Sequence, residues 1–229
     1  MPKDRCQCVA SCKNPPLHNS SFCKVHIKKC PRVAKLSGYE PEYNPAIYNK
    51  YNGIKEAQNC FAYAFDYRKI PRSCTKNECY MPFPQPGSAS GYPQWSQVNS
   101  KRCPDLVSRL FGDVKDIKMA KFTKKCPKHY SKIALVVDED EDYHFYRQDS
   151  NGYWSHKPGS TDVKNTDGTG HPIYDPQLAS RIYKEAGLDY NEFCSYLCVP
   201  KHKKLKFKRG GTRRIKRISN RYTKHKKTI

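Results

Sequence analysis

A cysteine far upstream of two histidines twelve positions apart is the first grouping in this chain that could do chemistry. Cys60 opens Cys60-Phe-Ala-Tyr-Ala-Phe, His144 lies in Tyr143-His-Phe-Tyr-Arg, and His156 lies in Tyr153-Trp-Ser-His-Lys. A thiol is a useful nucleophile only as thiolate, which calls for a helix N-terminus or an imidazole beside it. A helix beginning near Asn59 would offer Cys60 its dipole, and its free N–H groups could receive an oxyanion. His144 would then be the base that takes the thiol proton, and His156 the group that orients it. Taken singly, each residue also has a structural reading, because cysteine is among the most buried residue types and a histidine on a sheet face can simply pack.

A second grouping crowds the start. Five of the twelve cysteines fall in the first thirty positions. Cys12, Cys23 and His26 supply three ligands, and Cys6 or Cys8 the fourth that a closed tetrahedral zinc site requires. Cys30 is a spare thiol or an alternative ligand. A segment this short has no hydrophobic core, so the metal would supply its folding free energy. Cys74 with Cys79, and Cys194 with Cys198, lack a suitably spaced histidine and read as buried or free thiols.

These residues need elements to position them. Residues 37–58, rich in Tyr, Pro and Asn, read as an extended approach segment. A buried helix follows from Asn59, then a Pro- and Gly-rich loop over 71–104, then a helix from Pro104 with proline in its first turn. Lys132-Ile-Ala-Leu-Val-Val-Asp138 is continuous and β-branched, as a central strand should be, and 143–157 reads as a hairpin. A two-residue turn at Ser150-Asn151 or Asn151-Gly152 would return the chain and set both imidazoles on one face. A helix near 176–186 and a last strand over 193–199 complete an α+β layout. The acidic run 138–142 reads as a solvated loop, and Asp162 as a group that could back up His156.

A cysteine at the head of a helix, a histidine on one strand and a second about a dozen residues on resembles the NlpC-type branch of papain-like cysteine peptidases and amidases. The resemblance covers roughly 45–200, and its phrases, with Gly210-Gly211-Thr-Arg-Arg, are also similar to uncharacterised proteins of large DNA viruses. It implies a helix packed on an antiparallel sheet and cleavage of a peptide or amide bond through a thioester. An upstream residue such as Tyr51, Gln58 or Asn59 would complete the oxyanion hole. Phe61-Ala62 after the cysteine and the long interval to His144 depart from the family pattern.

The net charge of +22 is unevenly placed. Residues 201–229 hold fourteen basic and no acidic residues, 1–36 hold eight basic residues against Asp4, and 37–200 are balanced to within one charge. This excludes a uniformly basic nucleic-acid-binding globule and leaves a neutral body with cationic ends. The chain divides into a Cys/His module (1–36), a hydrolase-like body (37–200) and a basic tail (201–229) too charged and apolar-poor to fold alone. Such a tail condenses on polyanions, nucleic acid among them. No stretch reaches the length of a membrane span and the start lacks a secretory apolar core. The expectation is therefore an intracellular protein with reduced thiols, in host cytoplasm or nucleus or packaged in a virion. It would be either a Cys-His-His hydrolase held near nucleic acid or virion proteins, or an inactive viral packaging protein.

Overall fold

The computed structural model describes residues 5–30, 34–98, 101–139 and 141–201; the basic tail expected over 201–229 lies, after Lys201, outside them. Short helices α1 (Ala46–Asn49), α2 (Asn52–Ala57) and α3 (Cys60–Ala64) precede α4 (Cys103–Asp113). The strands are β1 (Lys118–Ala120), β2 (Tyr130–Val137), β3 (Tyr143–Gln148), β4 (Trp154–Ser155), β5 (Ile182–Tyr183), β6 (Leu188–Asp189) and β7 (Glu192–Pro200). Five of them form one sheet in the order β1-β7-β2-β3-β4, with every pairing antiparallel. The architecture is α+β.

Both faces of this sheet are covered, which explains why β2 is a nearly unbroken apolar run. Ile133, Leu135 and Val137 face one way with Tyr143, Phe145, Leu197 and Val199, against Phe61 of α3 and Leu106 and Leu110 of α4. Ala134 and Val136 face the other way with Tyr146, Trp154 and Tyr196, beneath Ala34, Ile173 and Tyr190. The strand alternation assigns each residue to one layer or the other.

Several local expectations change. The approach segment contains α1 and α2, and Gly53 of α2 lies so close to the 74–79 loop that a Cβ there would sit 1.9 Å from the Thr75 carbonyl oxygen. In place of a helix near 176–186 the chain makes a turn and the small β5–β6 ribbon, joined by a 3₁₀ turn that Gly187 closes at φ +68°. The acidic run is more than a solvated loop: Asp138 accepts the Asp189 N–H at 2.9 Å, and Asp142 accepts the Tyr190 hydroxyl at 3.2 Å.

Of the seven cysteines in the body, all but Cys60 are bridged. Cys74–Cys79, Cys103–Cys194 and Cys126–Cys198 are disulfides. Cys103 ties the start of α4 to β7, and Cys126 ties the loop before β2 to the same strand. Arg147, almost fully buried, pins the hairpin to the helices: its Nε meets Asp149 at 3.0 Å and its guanidinium covers the Tyr63 ring at 3.8 Å. Replacing Cys103 and Cys194 by serine is expected to lower unfolding free energy by about 4 kcal/mol, since the bridge closes a long loop in the unfolded chain. Arg147→Met, which strands buried Asp149, should cost about 3 kcal/mol. Denaturant midpoints of the two variants measure both.

Candidate functional site

α3 starts where the sequence places it. Asn59 caps it, its Oδ1 accepting the Ala62 N–H at 3.1 Å, and Cys60 is the first helical residue. The sulfur nevertheless meets no imidazole. Cys60 is 5% exposed, packs among Phe61, Trp95, Tyr143 and Phe145, and has the Tyr143 carbonyl oxygen as its contact at 4.0 Å. Burial, then the charge of Asp142, pushes its thiol far up, so the protonated form persists at neutral pH. Cys60 and His144 line the same cleft of about 450 Å³. Alternation along β3 turns Tyr143 and Phe145 toward Cys60, however, and His144 toward the opposite layer.

The proposed oxyanion donors are occupied elsewhere. Asn59 Nδ2 donates to the Pro84 carbonyl at 3.0 Å, Gln58 Nε2 donates to the Lys69 carbonyl at 2.8 Å, and the Tyr51 ring lies under Lys76.

The two histidines do meet: His144 Nε2 lies 2.7 Å from His156 Nδ1, and His156 Nε2 lies 3.0 Å from the Thr166 carbonyl. A carbonyl only accepts, so His156 Nε2 carries the proton, its Nδ1 accepts, and His144 Nε2 donates. His156 is therefore neutral. The group that orients His156 is this carbonyl, whereas Asp162 pairs with Lys55 at 3.1 Å. Burial, then His156, holds His144 well below the ordinary imidazole range, and burial brings His156 down to about 4.

The shared face of the pair has a different origin from the expected two-residue turn. Asp149 N–H donates to the Tyr153 carbonyl at 2.9 Å, so the loop is Ser150-Asn151-Gly152, with Gly152 at φ +87°. Three loop residues set Arg147 opposite Ser155, and that register makes His144 and His156 diagonal neighbours on one face. A two-residue loop would have put them on opposite faces. Tyr190 stacks on His144 at 5.2 Å and Tyr146 lies edge-on at 5.0 Å, which encloses the pair in aromatic rings.

Sequence reading missed Lys157. Its Nζ donates at 2.7 Å to each of the carbonyls of Lys55, Gln58 and Gly159, and burial brings it down to about 7. It clamps the C-terminal end of α2 and the approach to Cys60 onto the hairpin. The only sequence signal is its place beside His156.

The N-terminal cluster assembles. The ligand atoms of Cys6, Cys12, Cys23 and His26 all lie within 4.8 Å of one another. His26 Nδ1 is 3.5 Å from Cys6 Sγ and 3.4 Å from Cys23 Sγ, and Cys12 Sγ is 3.8 Å from Cys23 Sγ. A tetrahedral ion with ordinary Zn–S and Zn–N bonds has edges of about 3.8 and 3.5 Å. The set could hold a metal ion, and Cys6, not Cys8, is the fourth member of the cluster. Burial pushes the Cys23 thiol up, but the backbone N–H groups of His26 and Val25 and the hydrogen bonds of Cys6 and Cys12 outweigh it and bring it to about 6. A thiolate at neutral pH is what a metal requires. Gln7, between two of the cysteines, docks the module: its Nε2 donates to Asp167 and the Pro172 carbonyl, and its Oε1 accepts the N–H groups of Tyr174 and Asp175.

The fold and sites thus define a disulfide-stapled α+β protein with a metal-ready Cys₃His corner and a buried, protonated thiol. No family profile matches the chain, and no solved structure matches it. The chain is 37% identical over 147 residues to insoluble matrix shell protein 1 of Ruditapes philippinarum, an alignment covering 64% of this chain and 82% of that protein. It belongs to the family of that shell matrix protein. The resemblance to NlpC-type papain-like peptidases and to viral proteins does not hold, and with it fall the thiol hydrolase and the viral packaging protein. The intracellular, reduced expectation fails as well, because three disulfides belong to an oxidising compartment and the relative is a shell protein. Among the described residues, no helix is long and apolar enough to cross a membrane.

Two outcomes check this site. Because the folded chain holds both imidazoles low, the unfolded chain binds more protons from about pH 6.5 down to about 4, and the pair's contribution to stability is lost as pH falls through that window. Asp149, raised by burial to about 6, acts in the opposite sense. Imidazole ¹⁵N shifts should therefore show His144 and His156 neutral at about pH 5, below the ordinary histidine value. Lys157→Met, which leaves three carbonyls without their donor, should lower unfolding free energy by about 2–3 kcal/mol in denaturant titration.

Proposed function

We propose that this chain is a non-enzymatic matrix protein: a stapled scaffold that carries a structural zinc ion at one end and binds acidic polymers through its cationic ends. The observation that carries this reading is the 37% identity to insoluble matrix shell protein 1 across 82% of that protein. The site chemistry agrees with it, since Cys60 is buried and its contact is a carbonyl, not an imidazole.

In this reading the chain has three working parts. Residues 1–36 form the zinc-held module, with Cys6, Cys12, Cys23 and His26 as ligands at tetrahedral spacing. Residues 37–200 form the neutral body. Residues 201–229 present fourteen positive charges without an acid, so the partner is a polyanion of the matrix, carboxylated or sulfated, held by counterion release.

Binding of the full chain to polyaspartate should be strong at low salt and weaken at least about 10³-fold between roughly 50 and 200 mM salt. A chain ending at Lys201 should lose most of that affinity. Equal affinity of the two chains removes the tail from the mechanism, and no binding by either removes the matrix role. The zinc assignment is read separately: elemental analysis should give one zinc per chain, abolished by Cys23→Ser and retained by Cys8→Ser.

A further inference from the structure

Of the twelve asparagines in the chain, Asn19 alone is followed by a residue other than proline and then by serine or threonine, in Asn19-Ser20-Ser21. That triplet is the acceptor motif for N-linked sugar in chains that enter a secretory compartment. The three disulfides belong to such a compartment. A three-residue motif is short, so its place in the fold decides what it can do.

The two ends of the motif have opposite surroundings. Asn19 is exposed at the tip of a turn in which the Ser20 N–H donates to the Leu17 carbonyl at 3.0 Å. Its φ of +55° is a conformation that asparagine tolerates better than most residues. Ser21 is 2% exposed: its hydroxyl donates to the Pro172 carbonyl at 2.6 Å, and its carbonyl accepts the Gln7 N–H at 2.8 Å. The folded chain therefore has open space at the acceptor amide and hides the hydroxyl that completes the motif. Pro172 lies 151 residues downstream. At ordinary synthesis rates that hydroxyl stays free for roughly 8–30 s after it is made.

We propose that Asn19 carries an N-linked oligosaccharide, attached to the nascent chain before Ser21 docks on Pro172. The Asn19 amide nitrogen attacks the anomeric carbon of an oligosaccharide held on a lipid pyrophosphate. A carbon–nitrogen bond forms, the carbon–oxygen bond to the pyrophosphate breaks, the lipid pyrophosphate leaves, and the amide gives up one of its two protons. Nothing is oxidised or reduced. Docking of Ser21 then closes the window, and the sugar is left beside Leu17, an exposed apolar side chain at the other end of the turn. The proposal needs the secretory route and neither the zinc ion nor the polyanion reading.

The full chain, translated behind a cleavable signal into microsomes that hold the transferase and its lipid-linked donor, should give one product heavier by a single core glycan. A peptide N-glycosidase should remove the sugar and leave aspartate at position 19 in peptide mapping. Asn19→Gly, which keeps the turn, and Ser21→Ala should lack the glycan, whereas Ser21→Thr should keep it. The folded chain, made without sugar and then given to the same transferase and donor, should be modified at least about tenfold less than the nascent chain, because the hydroxyl is reached only through local opening. Unfolding that chain should restore modification. A translocated chain with Cys103–Cys194 bridged and Asn19 unmodified overturns the proposal and leaves the zinc and polyaspartate outcomes as they stand. Equal modification of folded and nascent chains overturns the order of events.

Discussion

The pleat of β3 decides what the chain's reactive residues can do. Tyr143 and Phe145 point into the helical layer and His144 and Tyr146 into the other, because successive side chains of a strand alternate. Cys60 enters on the helical side, so its neighbours are hydrocarbon and a carbonyl. The histidine pair is built on the far side from two strands and a loop carbonyl. With no imidazole in contact to take its proton, and with burial opposing the thiolate, Cys60 is a core residue that happens to cap a cleft.

What remains of the site is architectural. The neutral histidine pair, Lys157 with its three carbonyls and Gln7 with its four partners all do one thing: they let irregular segments be buried without leaving backbone groups unpaired. The layer over the second sheet face is almost entirely loop, and buried loops demand such side chains. Thr166, which receives His156, lies beside Asp167, which receives Gln7. The Cys/His corner and the hairpin are thereby fastened to the same short stretch.

Much of this was legible in the sequence, and the limits have physical causes. The cap at Asn59, the helix after Pro104, the continuous strand of 132–138 and the Cys12-Cys23-His26 set are local patterns, and local patterns survive folding. His144 and His156 share a face because the loop between their strands has three residues; the two-residue turn read from the sequence would have put them on opposite faces. The disulfides were illegible for the opposite reason. Cys103 and Cys194 lie 91 residues apart, and nothing in either neighbourhood marks the other. The helix expected near 176–186 gave way because its residues cover the sheet as a turn and ribbon, a tertiary demand that outweighs a modest propensity.

Cysteine usage then carries the argument beyond the fold. A chain with three formed bridges has been through an oxidising environment, yet five thiols within 25 residues stay apart from those bridges. Thiols in such company oxidise unless something holds them. An ion held by Cys6, Cys12, Cys23 and His26 would protect three by coordination and would dock, through Gln7, on the body that the disulfides stiffen. In that reading metal and disulfide chemistry are complementary: two bridges staple β7 to α4 and to the loop before β2 where a core already exists, and the ion would organise the N-terminal segment, whose own cluster is small.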